Sequence, residues 1–230
     1  MTLEERISAI RERIACCAER AGRRGSDVRL VGVTKTRTVE EMRRAAPLID
    51  AIGENRVQEA LLKKEKWGDA GPELEWRLIG HLQKNKARRA VELFDSVDSL
   101  DSLPLAATLD RIALEQERFL PVLIEVNTAA EASKTGIAPD AFPELLDHVL
   151  NSSRLVLQGL MTIGPLTDDE AQVRRAFASL RELWLRPRAS SGLDLPILSM
   201  GMSGDFEWGI LEGSTMVRIG TAIFGSRQPL

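Results

Sequence analysis

Val28-Arg-Leu-Val-Gly-Val-Thr-Lys35 is the stretch on which the fold turns. Residues 29–33 (RLVGV) form a short, β-branched, apolar run of the kind that becomes a buried strand, and the run breaks directly onto a lysine. Seven further runs of this type follow. They begin near Ile49 (IDAIG), Glu75 (EWRLIG), Phe94 (FDSV), Leu120 (LPVLIEVN), Leu155 (LVLQGLMTIG), Ile197 (ILSMG) and Met216 (MVRIG). Amphipathic segments at 39–46, 55–67, 84–93, 102–117, 140–151, 169–186 and 205–212 separate them. Helices between successive short apolar strands are the pattern of parallel βαβ units. Eight such units without a Gly-x-Gly-x-x-Gly fingerprint predict an α/β fold, a single closed (β/α)8 TIM barrel, over an open dinucleotide-binding sheet.

An extra helix precedes the barrel. Leu3, Ile7, Ile10, Ile14, Cys17 and Ala21 recur at helical spacing, Thr2 and Glu5 form a capping box, and Gly22 can end the helix. Two more capping boxes are predicted, Thr38 to Glu41 and Thr167 to Glu170. Residues 1–230 are expected to form one domain, with 1–22 packing on the barrel as its N-terminal helix. No linker, low-complexity tract or repeat beyond the βα unit interrupts them.

Composition narrows the function classes. At 43% hydrophobic, 230 residues can bury a full core. A net charge of −3 implies no broad field for nucleic acid or membrane. No apolar stretch is long enough to span a bilayer, and the first six residues are too polar for a signal peptide. Cys16 and Cys17 sit side by side on a helix and point about 100° apart, which disfavours a bridge and fits a reducing cytoplasm. Two histidines and two cysteines without ligand spacing argue against a zinc site.

Barrel active sites lie at the C-terminal strand ends, with phosphates usually bound after strands seven and eight. The chemically interesting residues fall there: Lys35 after strand one, Glu54 and Asn55 after strand two, His81 after strand three. Asn127 ends strand five, Met161 and Thr162 end strand six, Ser203 follows strand seven, and Gly220 and Thr221 follow strand eight. A strand-end lysine can form a Schiff base with an aldehyde. Glycines beside Ser and Thr hydroxyls can wrap a phosphate with backbone N–H groups. An aldehyde and a phosphate on one ring describe pyridoxal phosphate. Strand eight closing on strand one would set Lys35 opposite the two phosphate-type loops.

Each residue also has a plainer explanation. Lys35 could be solvated. Alternation points Arg218 into the barrel between Val217 and Ile219, where its partner is either a carboxylate such as Glu125 or the cofactor's pyridine nitrogen, which an arginine would keep unprotonated. Asn55 could donate to a ring oxygen or cap the following helix. The glycines of 198–225 could make tight turns alone. The basic run Lys84-Asn-Lys-Ala-Arg-Arg89 lacks interleaved aromatics; it reads as a solvated helix start, with an anion site at the barrel mouth as the alternative.

The chain resembles the pyridoxal phosphate homeostasis protein family, the YggS/PROSC group. The matching stretches are Val31-Gly-Val-Thr-Lys-Thr36, Gly53-Glu-Asn-Arg-Val-Gln-Glu59, Trp76-Arg-Leu-Ile-Gly-His-Leu-Gln-Lys-Asn-Lys86, Ser133-Lys-Thr-Gly-Ile137, Gly159-Leu-Met-Thr-Ile163, Gly201-Met-Ser-Gly-Asp205 and the 213–225 run GSTMVRIGTAIFG. They occur in family order. The resemblance implies a barrel of the alanine-racemase N-terminal (fold-type III) kind, with pyridoxal 5'-phosphate (PLP) held as an internal aldimine on Lys35. It places Arg218 at the pyridine nitrogen and Ser203, Gly220 and Thr221 at the phosphate.

Three functions are weighed. The first is a cytoplasmic PLP carrier and homeostasis protein without robust catalysis, expected to be a monomer, with PLP-dependent apoenzymes as recipients. The second is a small fold-type III enzyme, an amino-acid racemase or lyase. Racemisation by that route pairs a lysine with a tyrosine, and this chain has no tyrosine; its end at Leu230 would leave no second β domain to supply one. The third is a sugar-phosphate barrel or an aldolase-type lysine enzyme. The first is preferred, with no catalytic residue and no metal assigned.

Overall fold

The computed structural model describes residues 1–68, 71–129, 131 and 134–226. Ser133 of the 133–137 motif and the tail 227–230 lie outside the described residues. The strands are β1 (Arg29–Val33), β2 (Ala51–Glu54), β3 (Glu75–Leu78), β4 (Ser96–Leu100), β5 (Leu120–Glu125), β6 (Leu155–Met161), β7 (Ile197–Ser199) and β8 (Met216–Ile219). They close in sequence order into a parallel barrel, β8 returning to β1 with Arg218 opposite Val31. The helices are α1 (Leu3–Arg20), α2 (Val39–Ala45), α3 (Val57–Trp67), α4 (Ala87–Leu93), α5 (Leu103–Glu115), α6 (Phe142–Leu150), α7 (Glu170–Ser191), α8 (Phe206–Leu211) and α9 (Thr221–Phe224).

Strand alternation divides the core in two. Leu30, Ile52, Leu78, Val122, Ile124, Leu198, Val217 and Ile219 face outward and pack with the helices. Val31, Ala51, Leu123, Met161, Ile197 and Met216 form a separate apolar cluster inside the barrel. The interior also carries a buried ion pair, with Arg77 donating from Nε and Nη2 to the two oxygens of Asp98 at 2.8 and 2.9 Å. One glycine is obligatory: Gly159 has φ of 154° where β6 slips register against β5, and a Cβ there would stand 1.7 Å from the Ile197 carbonyl oxygen.

Helix α1 caps itself with the Thr2–Glu5 box and buries Leu3, Ile7, Ile10, Ile14, Cys17 and Ala18. Arg6 Nε donates to the Ile223 carbonyl at 2.6 Å and Arg13 pairs with Glu207 at 2.8 Å, so α1 is tied to α9 and α8. The Thr38–Glu41 box is present as well. The third box is not. Asp169 caps α7 instead, accepting from the Gln172 N–H, because Thr167 Oγ1 turns to the Asp169 N–H. Helix α7 also runs past Pro187, beyond the 169–186 segment read from the sequence. Trp184 Nε1 and Arg188 both donate to the Leu195 carbonyl, and Arg188 stacks over the Trp184 ring, so tertiary anchoring on both sides of the proline holds the last turns in place.

Candidate functional site

The C-terminal strand ends meet at one mouth. Lys35 follows β1 in a turn and is half-buried. The loops after β7 and β8 join beside it: Ala222 N–H donates to Ser203 Oγ at 3.2 Å, and a Cβ on Gly220 would lie 3.3 Å from Cβ of Val33, two residues before Lys35. Ser203, Gly220 and Thr221 are therefore brought together, next to the end of β1. Thr221 opens the single-turn helix α9 and is exposed.

Arg218 lies deeper. It is 4% exposed, donating from Nη1 to Ser199 Oγ at 2.5 Å and from Nη2 to the Thr162 carbonyl at 2.7 Å. Among the described residues no carboxylate makes an ion pair with it, and Glu125 uses its Oε1 to accept from Thr135 Oγ1 at 2.6 Å. Burial pushes the Arg218 guanidinium below its usual range, against the attraction of Asp98, Asp205 and Glu125. Burial likewise pushes the Glu125 carboxyl up, and the nearby Asp101 adds to the rise.

Asn55 is not a helix cap. The N-cap of α3 is Arg56, and the Asn55 side-chain oxygen is buried without a hydrogen-bond partner. Two more buried oxygens at this end lack partners, Glu125 Oε2 and Asn127 Oδ1; Glu54 Oε2 is unpartnered as well but lies on the outer side of β2, against Lys63 of α3. Unmet polar atoms converging on a strand-end mouth fit a polar ligand, since an empty apolar core would leave each at a cost of about 1–3 kcal/mol. The donor set agrees: a lysine, a buried arginine without an ion-pair partner, and a hydroxyl-lined turn of small residues fit an aldehyde, a ring nitrogen and a phosphate.

Beneath Lys35 sits a buried network that the sequence did not reveal. Lys63 Nζ is 2.6 Å from both the Thr34 carbonyl and Glu54 Oε1, and 2.7 Å from Glu59 Oε1. Thr34 Oγ1 also donates to Glu54, and Glu59 accepts from the Thr36 N–H. Burial raises the Glu54 carboxyl pKa despite the Lys63 ammonium. A Glu–Lys pair four apart in a helix looks like a surface pair in sequence. At the rim, His81 Nδ1 lies 2.9 Å from Asp101 Oδ2. The basic run is engaged in surface pairs, Arg88 with Glu115 and Arg89 with Glu92, as a solvated helix start would be. Among the described residues no His, Cys, Asp and Glu cluster could hold a metal, and no helix is long and apolar enough to cross a membrane.

Residues 6–228 match the family model described as alanine racemase, N-terminal domain. The chain is 42% identical over 231 residues to the pyridoxal phosphate homeostasis protein of Pseudomonas aeruginosa, covering 99% of this chain and 96% of that one. It is 41% identical over 225 residues to the protein of the same name from Aquifex aeolicus, covering 97% and 98%. Among solved structures it resembles PipY of Synechococcus elongatus with PLP bound, at TM-score 0.79 and 37% identity over 86% of this chain and 93% of that chain. With full-length identity at this level, a matching barrel and the sequence motifs carried on its strand ends, the chain belongs to the pyridoxal phosphate homeostasis protein family.

Proposed function

We propose that this protein binds PLP reversibly, covalently on Lys35, and serves intracellular PLP homeostasis without acting as a committed amino-acid enzyme. The observation that carries this is the junction of Ser203 and the Gly220–Thr221 turn beside the end of β1, where Lys35 stands. The bound cofactor supplies an aldehyde, a phosphate and an electron-poor ring. Lys35 Nζ would hold the aldehyde carbon, while the Ser203 and Thr221 hydroxyls and the N–H groups at Gly220 and Thr221 would hold the phosphate. Asn55 would donate from its side-chain amide to a ring oxygen. Arg218, fixed by Ser199 and Thr162, would donate to the ring nitrogen and keep it unprotonated.

The carrier reading is supported by the names of its relatives and by the absence of tyrosine from the chain. The same proposal includes one PLP-binding domain over 1–230, a monomer working in the cytoplasm, and PLP-dependent apoenzymes as recipients of the cofactor. The test is to load the protein with PLP, reduce with borohydride and locate the added mass by peptide mapping. The label is expected on the Lys35 peptide and absent from Lys35→Ala. Incubation of the loaded protein with L- and D-alanine, serine and lysine should give negligible products on chiral analysis. Label on another lysine would remove the assignment; Lys35-dependent turnover at about 1 per second or faster would make it an enzyme.

A further inference from the structure

We infer that Lys63, with Glu59 and Glu54, positions Lys35 by gripping the backbone on both sides of it. The inference rests on Lys35 as the cofactor lysine.

The peptide group entering Lys35 is held from below. Its Thr34 carbonyl accepts from Lys63 Nζ at 2.6 Å, and the Thr34 hydroxyl donates to Glu54 Oε1 at 2.5 Å. The next peptide group is held as well, because the Thr36 N–H donates to Glu59 Oε1 at 2.5 Å. Lys63 closes the ring by binding both carboxylates. Two consecutive links of the chain, one on each side of Lys35, are thus tied to a single ammonium and its two acidic partners.

The conformation shows what the grip holds. Thr36 has φ of 64°, a left-handed backbone that a β-branched residue adopts only under constraint. That constraint is the Glu59 carboxylate, which a turn exposed to water alone would not supply. The turn completes itself with Arg37 N–H donating to the Thr34 carbonyl at 2.9 Å, so this one oxygen receives both the turn and the Lys63 ammonium. Lys63 is among the few buried charged residues of the barrel, and the Glu54 side chain is fully buried. Taking an ammonium and a carboxylate out of water is costly, and an apolar pair would serve packing at least as well. A buried pair whose contacts all converge on the residues flanking one lysine is accounted for by setting where that lysine stands. Among the described residues no hydrogen bond or ion pair joins this network to Ser203, Gly220, Thr221 or Arg218; it acts through the backbone of the 34–36 turn.

The experiment uses the full chain and PLP itself. Lys63→Met removes the ammonium; Glu59→Ala, at a half-exposed position and safer for folding, frees the Thr36 N–H and takes one of the two carboxylates from Lys63, leaving its bonds to Glu54 and the Thr34 carbonyl. Leu109→Ala in α5, buried away from the mouth, serves as a stability control. For each, thermal stability of the PLP-free protein is measured beside PLP affinity by absorbance titration and the induced circular dichroism of the bound cofactor. The expected result is a loss of PLP affinity of about 10- to 100-fold in Lys63→Met and Glu59→Ala, with a weakened dichroic band. Leu109→Ala should lose thermal stability and keep the wild-type affinity and band. Wild-type affinity and dichroism in both clamp variants, or losses that follow thermal stability alike in all three, would overturn the inference while leaving the Lys35 assignment intact. Failure of wild-type protein to take borohydride label on Lys35 would remove both.

Discussion

Replacing Arg218 with methionine tests the deepest part of the proposed site. The guanidinium is 4% exposed and makes two hydrogen bonds, to Ser199 Oγ at 2.5 Å and the Thr162 carbonyl at 2.7 Å. Methionine fills a similar volume and removes both. The Ser199 hydroxyl can turn to another partner, but the Thr162 carbonyl is left unpaired at about 1–3 kcal/mol, partly offset by removal of a buried charge. A net loss of about 1–2 kcal/mol should lower the Tm of the PLP-free protein by roughly 2–8 °C in a chain of this size. Cofactor binding should suffer separately. A hydrogen bond from a charged donor contributes about 1.5–3 kcal/mol, so losing the one to the ring nitrogen should raise the PLP Kd by about 10- to 150-fold. Absorbance titration of wild type and variant measures this, with borohydride labelling to show that Lys35 still carries the cofactor. Labelling at Lys35 with a Kd within about threefold of wild type would refute the contact between Arg218 and the ring.

Two further substitutions probe the barrel around the site. Glu125→Gln keeps an acceptor for Thr135 and removes a buried acid whose pKa is raised above the ordinary 4.5, first by burial. An acid with a raised folded pKa gives its stability fully below the ordinary value and loses it as pH climbs through the folded one. Wild type should therefore lose stability as pH rises above 4.5, and Glu125→Gln should lose less, melting higher at neutral pH; thermal melts across a pH series that run parallel for the two would refute this. Gly159→Ala should cost more than about 4 kcal/mol, because its Cβ would collide with the Ile197 carbonyl at 1.7 Å; soluble protein with a wild-type melting curve would contradict the bulge geometry.

The barrel was legible because its signal, a short apolar-rich run followed by an amphipathic segment, is repeated eight times. Arg218 was legible because alternation fixes its direction: Val217 and Ile219 do pack outward, while Met216 joins the inner cluster. What stayed hidden depended on contacts distant in sequence. The Lys63 network draws on β2, α3 and the turn after β1, and the Arg77–Asp98 pair spans two strands. Helix α9 is a single turn of four residues, too short for a helical period to show. The amphipathic segment read as 169–186 ended just before Pro187, whereas α7 continues to Ser191 with Trp184 and Arg188 reaching Leu195. Asn55 had two local explanations, and the position of Arg56 as the α3 cap removes one of them, the helix cap.

The depth of each residue bears on why such a site would release its cofactor. Arg218, assigned to the ring nitrogen, is buried and rigidly held, whereas Lys35 and Ser203 are half-buried and Thr221 is exposed. Orientation would then be set at the closed end and the covalent and phosphate contacts made at the open end. Catalysis on a bound amino acid asks for the reverse: a dry reacting carbon and an acid or base on each face of the ring. The polar groups near this mouth, the His81–Asp101 pair and the Lys134 ammonium, are already committed to protein partners, Lys134 to Glu131 and the Gly164 carbonyl. A lysine gripped through its backbone yet reachable from solvent suits capture and exchange of an aldehyde more than turnover of a substrate bound to it.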